Sequence, residues 1–163
     1  MILKSLSRNF YFNSTLLIII FFLDRISKIY VIYLSDKLNQ YELFSSNFLN
    51  ISLIWNEGIA FGLFSFDEKF FYNLLTIFIS LVILMLFILV IKNDNLKNYA
   101  LLMIIGGALG NLYDRIFYKA VPDFLDFHIN SFHWFIFNVA DIFITLGVFF
   151  MILLEFFDKN KRI

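Results

Sequence analysis

Between Gly106 and Asp141, in or between two strongly apolar runs, stand Asn111, Asp114, Arg115, Asp123, Asp126, Asn138 and Asp141. A carboxylate held in lipid costs about 2.5–3.5 kcal/mol at a helix centre, so a chain that keeps several together uses them. The chemistry on offer is carboxylate chemistry. With no cysteine in the chain, disulfides, thiolate ligands and a cysteine nucleophile are excluded. The two histidines, His128 and His133, lack an HExxH spacing, which argues against a metal site. Ser131 and His133 are too close in a loop to suggest a triad. Two apposed aspartates, by contrast, can share one proton, because like charges at short range cannot both ionise. One then takes a proton from water while the other protonates a carbonyl oxygen or a leaving amine. That is hydrolysis without a metal or a covalent intermediate. Asp141, early in an apolar run, is favoured as the ionised member by the dipole at a helix N-terminus. Spacing alone leaves its partner open among Asp114, Asp123 and Asp126.

The elements that must position these groups are membrane elements. The chain is 61% hydrophobic and 16% charged, whereas a soluble domain is roughly 45–50% apolar and about 25% charged. Its formal net charge is zero, so it has no basic footprint for nucleic acid. Four spans are expected, at about 14–34, 70–91, 99–117 and 135–157, within one domain covering residues 1–163. The first is an uncleaved span without a small-residue cleavage site. It carries Asp24 and Lys28 at i, i+4 with the acid first, the favourable order for a helical pair, and the pair is expected to face the bundle interior and brace the site. In the second, Asn73, Thr76 and Ser80 at helical spacing suggest hydrogen bonds between helices. In the third, Gly106 and Gly110 have the GxxxG spacing that lets another backbone approach. Asn111, Asp114 and Arg115 share one face of it. In the fourth, Asn138 and Asp141 fall in the first turns.

Between the first two spans, Leu49, Ile51, Leu53 and Trp55 alternate with other residues at period two, predicting a strand that ends in the turn Asn56-Glu57-Gly58. The expected fold is therefore an all-α membrane protein with a small extracytoplasmic β-sheet element in the first outer loop. Residues 118–134 read as a second outer loop. Orientation follows from Lys and Arg. Lys4, Arg8, Lys92, Lys97, Lys159, Lys161 and Arg162 lie in the tails and the 92–98 loop. That places both termini in the cytoplasm and all the suspicious polar residues at the outer interface. A small transporter with intramembrane ion pairs is the rival class. It is disfavoured because no internal repeat is evident and the polar groups cluster at one end rather than at mid-depth.

The chain resembles lipoprotein signal peptidase (signal peptidase II), a bacterial membrane aspartic peptidase family. The motifs run Asp24-x-x-Ser27-Lys28, Asn56-x-Gly58-x-Ala60-Phe61, Gly106-Gly107-Ala108-x-Gly110-Asn111-x-x-Asp114-Arg115, Val121-x-Asp123-Phe124 and Phe137-Asn138-x-Ala140-Asp141. The resemblance implies that Asp123 and Asp141 are the catalytic pair. Positions matching Asn56, Asn111, Arg115 and Asn138 would line the site, with Gly58 and Asp114 beside them and Asp24 and Lys28 in support. It further implies a multi-pass protein of the bacterial inner membrane, working without a cofactor or metal. Its substrates would be diacylglyceryl-modified prolipoproteins, cleaved on the amino side of the lipidated cysteine, and globomycin-type cyclic peptides would block it. A monomer in contact with membrane lipids, with no nucleic-acid partner, completes the expectation.

Overall fold

A computed structural model describes residues 2–58, 68–92 and 96–160. The Ala60-Phe61 part of one motif, residues 93–95 of the polar loop, and Lys161 and Arg162 of the basic tail lie outside the described residues. The elements run α1 (Ile2–Leu38), β1 (Glu42–Ser45), β2 (Leu49–Asn56), α2 (Glu68–Lys92), α3 (Lys97–Phe117), β3 (Val121–Ile129), β4 (Phe132–Phe137) and α4 (Val139–Asn160).

Among the described residues, three helices are long and apolar enough to cross a membrane: Phe70–Lys92, Lys97–Phe117 and Val139–Phe157, with mean hydropathies of 3.3, 1.3 and 2.2. Half of the α3 span is buried inside the protein, against 6% for α2 and 11% for α4. The least apolar helix is thus the central one, and the most apolar face outward. α1 is longer, at 37 residues, and carries Asp24, Arg25 and Lys28, all buried. Its last turns leave the helices behind and support the sheet: Val31 packs with Leu53 and Phe124, flanked by Ile32, Leu43, Ile51 and Val139.

Three expectations are corrected here. The sheet is not confined to the first loop: it has four antiparallel strands in the order β1-β2-β3-β4, two from each long connection. Residues 118–134 are therefore mostly a hairpin, β3 and β4, turned at Asn130, whose φ is 53°. Asn tolerates that left-handed conformation better than most residues. The period-two signal in VPDFLDFHI is scrambled, and Pro122 argues against a strand. Pro122 is accommodated because it stands second in β3, opposite Trp55, near the start of the strand where proline is tolerated.

The second correction concerns the fourth helix. It begins at Val139 rather than near residue 135, because Phe135–Phe137 complete β4. Asn138 stops it from extending backward. Its Oδ1 accepts the Asp141 backbone N–H at 3.2 Å while its own N–H donates to Asp141 Oδ2 at 3.1 Å. That is the reciprocal capping arrangement of a helix N-terminus. On α2, Thr76 and Ser80 do not join helices either. Their hydroxyls donate to the Tyr72 and Thr76 carbonyls one turn back, at 2.9 and 2.8 Å, satisfying themselves locally.

Candidate active site

The site is built where α1, α3, α4 and the sheet meet. Small residues bring the helices together. A Cβ on Gly106 would lie 2.8 Å from Ile20 Cγ2, one on Gly110 would collide with the Asp24 carboxylate, and one on Gly107 would collide with the Ala140 carbonyl. The GxxxG spacing thus seats α1, and the intervening glycine seats α4.

Into that contact fold four charged side chains no more than 5% exposed: Asp24, Arg25, Lys28 and Asp114. Buried charge is costly unless it is paired and hydrogen-bonded, and here each is paired. Lys28 Nζ donates to Asp24 Oδ2 at 2.9 Å, Asp114 Oδ2 at 2.7 Å and Asn111 Oδ1 at 2.8 Å, using all three of its protons. Arg25 Nη1 takes the other Asp114 oxygen. Asp24 Oδ1 accepts the Ala140 backbone N–H at 3.0 Å, tying α1 to the first turn of α4. The expected Asp24–Lys28 brace is present and extends over three helices.

Above this brace, three asparagines present amide protons to two aspartates. An amide can face either way, but each of these has its carbonyl oxygen claimed by a fixed donor. Asn111 Oδ1 accepts Lys28, so its Nδ2 donates to Asp141 Oδ1 at 2.8 Å. Asn138 Oδ1 accepts the Asp141 N–H, so its Nδ2 donates to Asp123 Oδ1 at 2.6 Å. Asn56 Oδ1 accepts the Gly58 N–H at 2.8 Å, so its Nδ2 donates to Asp123 Oδ2 at 2.9 Å. Gly58 makes that last turn with φ 74°, a conformation in which a side chain is strained. One line of hydrogen bonds thus runs from Lys28 through Asn111, Asp141, Asn138 and Asp123 to Asn56, and Asn138 touches both carboxylates.

The two aspartates open into one cleft of about 480 Å³, whose walls include Phe135 and Phe137 of β4 and Ile142 and Leu146 of α4. The floor is polar and the walls are apolar, as in most ligand pockets. Asp123 is 4% exposed. That burial pushes its carboxyl above the ordinary aspartate range. The Asn56 and Asn138 amides pull it back, and the nearby Asp141 charge adds to the rise. A carboxyl moved this way can hold a proton that a second carboxylate gives up.

Not every expected residue reaches the cleft. Asp114 belongs to the brace. Arg115 donates from Nη1 to the Asn111 carbonyl at 3.2 Å, while its own carbonyl accepts the Tyr72 hydroxyl at 3.2 Å. Asp126 is turned away: it accepts Asn50 Nδ2 at 3.2 Å and bonds His133 Nδ1 at 2.9 Å. Arg25 is the residue the sequence reading passed over. It lies three residues before Lys28 and so shares its helix face, a signal that pointed to the same buried partner.

Comparison with known proteins follows the same geometry. The family described as "Signal peptidase (SPase) II" matches residues 16–157. A protein of Pelagibacter ubique (strain HTCC1062) named lipoprotein signal peptidase is 50% identical over 155 residues, 95% of this chain and 93% of that one. One of Anaplasma marginale (strain Florida) with the same name is 40% identical over 141 residues, 85% and 81% of the two chains. A solved bacterial membrane enzyme superposes with TM-score 0.69 at 28% identity, covering 93% of this chain and 91% of its own.

Proposed function

The chain belongs to the signal peptidase II family, whose members are peptidases, and we propose that it is an aspartic endopeptidase that removes the signal peptide from diacylglyceryl-modified prolipoproteins. Asp123 and Asp141 are the catalytic pair. The observation that carries this reading is the placement of Asn138, which donates to Asp123 from its side chain and to Asp141 from its backbone. Two carboxylates bridged by one residue in one cleft are suited to share a proton.

In the mechanism, Asp123 holds the shared proton and Asp141 is the base. Asp141 takes a proton from water as the oxygen attacks the scissile carbonyl carbon. Asp123 gives its proton to the carbonyl oxygen, forming a gem-diol. Asp141 then passes its new proton to the amide nitrogen of the lipidated cysteine, the C–N bond breaks, and a gem-diol proton returns to Asp123. Asn111 and Asn56 hold the carboxylates from either end. The brace of Asp24, Lys28 and Asp114 fixes Asn111. Gly58 fixes Asn56, and Arg115 donates to the Asn111 carbonyl on α3.

The same reading supplies the topology. α1 is a fourth span, its Asp24, Arg25 and Lys28 tolerated because each is paired inside the bundle. The Lys and Arg distribution puts both termini in the cytoplasm, so the sheet and dyad stand at the outer face of the bacterial inner membrane. The protein acts as one monomeric domain over residues 1–163, without cofactor or nucleic acid, and globomycin-type peptides occupy the dyad cleft. The test is cleavage by the purified protein in lipid of a prolipoprotein with and without its diacylglyceryl group. The lipidated form is cut immediately before the modified cysteine. Equal cutting of the unlipidated form, or cutting elsewhere, contradicts the proposal.

A further inference from the structure

The cleft that holds the dyad has an open backbone along one side. β4 is the last strand of the sheet, and among the described residues no strand pairs with its outer edge. Four consecutive residues of it, Trp134, Phe135, Ile136 and Phe137, line the cleft. Successive side chains of a strand point to opposite faces, so a cleft that touches all four runs along the edge of β4 and not over one face alone. The strand is open to the outside there: Trp134 is 61% and Phe135 77% exposed. β4 then ends at Asn138, which donates to both aspartates. The free edge therefore leads to the dyad.

The ladder between β3 and β4 is irregular. Asp126 faces Ile136 and His128 faces His133, so Trp134 and Phe135 together stand opposite Phe127 alone. A bulge of this kind bends a strand and is common beside active sites. It discourages pairing with a long foreign strand and leaves a run of two or three residues next to the dyad. The opposite wall of the cleft is apolar, with Ile142 and Leu146 of α4. Whatever fills the cleft displaces water from the β4 edge and must replace its hydrogen bonds. An acyl chain laid there would leave those groups desolvated and unpaired. An extended peptide supplies an N–H and a C=O of its own and meets them in strand geometry.

We propose that the substrate backbone flanking the scissile bond lies along β4 as a short added strand, hydrogen-bonded to its edge, with the scissile carbonyl at Asp123 and Asp141. The inference rests on the peptidase reading and adds how the substrate is held. Pairing of this kind uses the backbone and not side chains, so it admits many sequences around one modified cysteine.

The test uses the full chain in lipid and diacylglyceryl-modified peptide substrates. One amide at a time, other than the scissile one, is replaced by an ester, which keeps the shape and removes the N–H donor. In an antiparallel or parallel pair only every second residue bonds to a given neighbour. The expected result is a loss of about tenfold in kcat/KM at alternate positions on one side of the cut, with little change at the positions between. In Asp141→Asn, which holds uncut substrate, a photoreactive side chain at a sensitive position should then label residues 134–137. Equal losses at consecutive positions, no loss at any position, or labelling confined to other elements overturns the proposal. In each of those cases the unmodified lipidated peptide is still cut, and the peptidase reading stands. Failure to cut that peptide at all would instead sink the peptidase reading, and this inference with it.

Discussion

Asp123 and Asp126 stand three residues apart on one strand, and locally they are hard to tell apart. They are 4% and 6% exposed. Each accepts an amide proton from an asparagine of β2, Asn56 for one and Asn50 for the other, at 2.9 and 3.2 Å. What separates them is the sheet. Residues three apart in a strand point to opposite faces. The register shift between Ile51 and Ile54 likewise carries Asn50 and Asn56, six residues apart, to opposite faces. Asp123 therefore turns toward Asn138 and Asp141, and Asp126 toward His133, which is half exposed. Burial and an amide donor are common to both. Only a second carboxylate within reach makes a dyad.

The comparison can be broken most severely at Asp141. Asp141→Asn is nearly isosteric but cannot take a proton from water, and cleavage should fall by about 10³-fold or more. Because the pair acts as a unit, the double variant with Asp123→Asn should lose little beyond either single. Additive losses in steady-state cleavage rates would mean that the two carboxylates work separately.

Next in size is the brace that only one of the two aspartates depends on. Lys28→Met leaves Asp24 and Asp114 short of a partner and frees Asn111 to rotate. Breaking a buried pair in this way costs about 3–5 kcal/mol, and activity should drop with stability. Lys97→Ala is the matched control. Its bond to Glu155 is on the surface, where such pairs are worth about 0–1 kcal/mol. Thermal melts in detergent that rank the two equally would reduce the brace to an ordinary ion pair.

A milder change sharpens the electrostatics. The Asn56 amide favours the ionised form of Asp123, against the burial that raises its carboxyl. Asn56→Val suits a strand and removes that donor, so the Asp123 carboxyl should rise further. If the dyad needs its last proton, the alkaline limb of the pH–rate profile belongs to the pair and should move to higher pH. A limb that stays put or moves down would exclude Asp123 as the proton holder. The smallest effect on cleavage is expected at Asp126→Asn. It weakens the charge-assisted bond to His133 and lowers the melting temperature modestly, while activity persists.

Much of this was legible from residue types. Apolar runs located α2 and α3, and the Asp24, Lys28 spacing foretold a brace. The glycine spacing foretold that another backbone approaches α3, and the structure shows that it is α1. The hairpin β3–β4 was hidden because Pro122 and an irregular alternation masked a strand held by its partners on both sides. The start of α4 was misplaced because Phe135–Phe137 are apolar enough for a span, and only the Asn138–Asp141 cap marks the boundary. The choice of Asp123 over Asp126 could not be read from spacing, since it depends on a register shift in another strand. Only the family resemblance pointed to it.

The most direct test sets those two aspartates side by side. Asp123→Asn and Asp126→Asn would be purified in lipid and confirmed folded by their melts. Their rates of cleavage of one diacylglyceryl-modified prolipoprotein would then be measured under the same conditions. The account predicts a dead Asp123→Asn, still able to bind uncleaved substrate, beside an active Asp126→Asn. An active Asp123→Asn with a dead Asp126→Asn would place the chemistry on the other face of the sheet and contradict it.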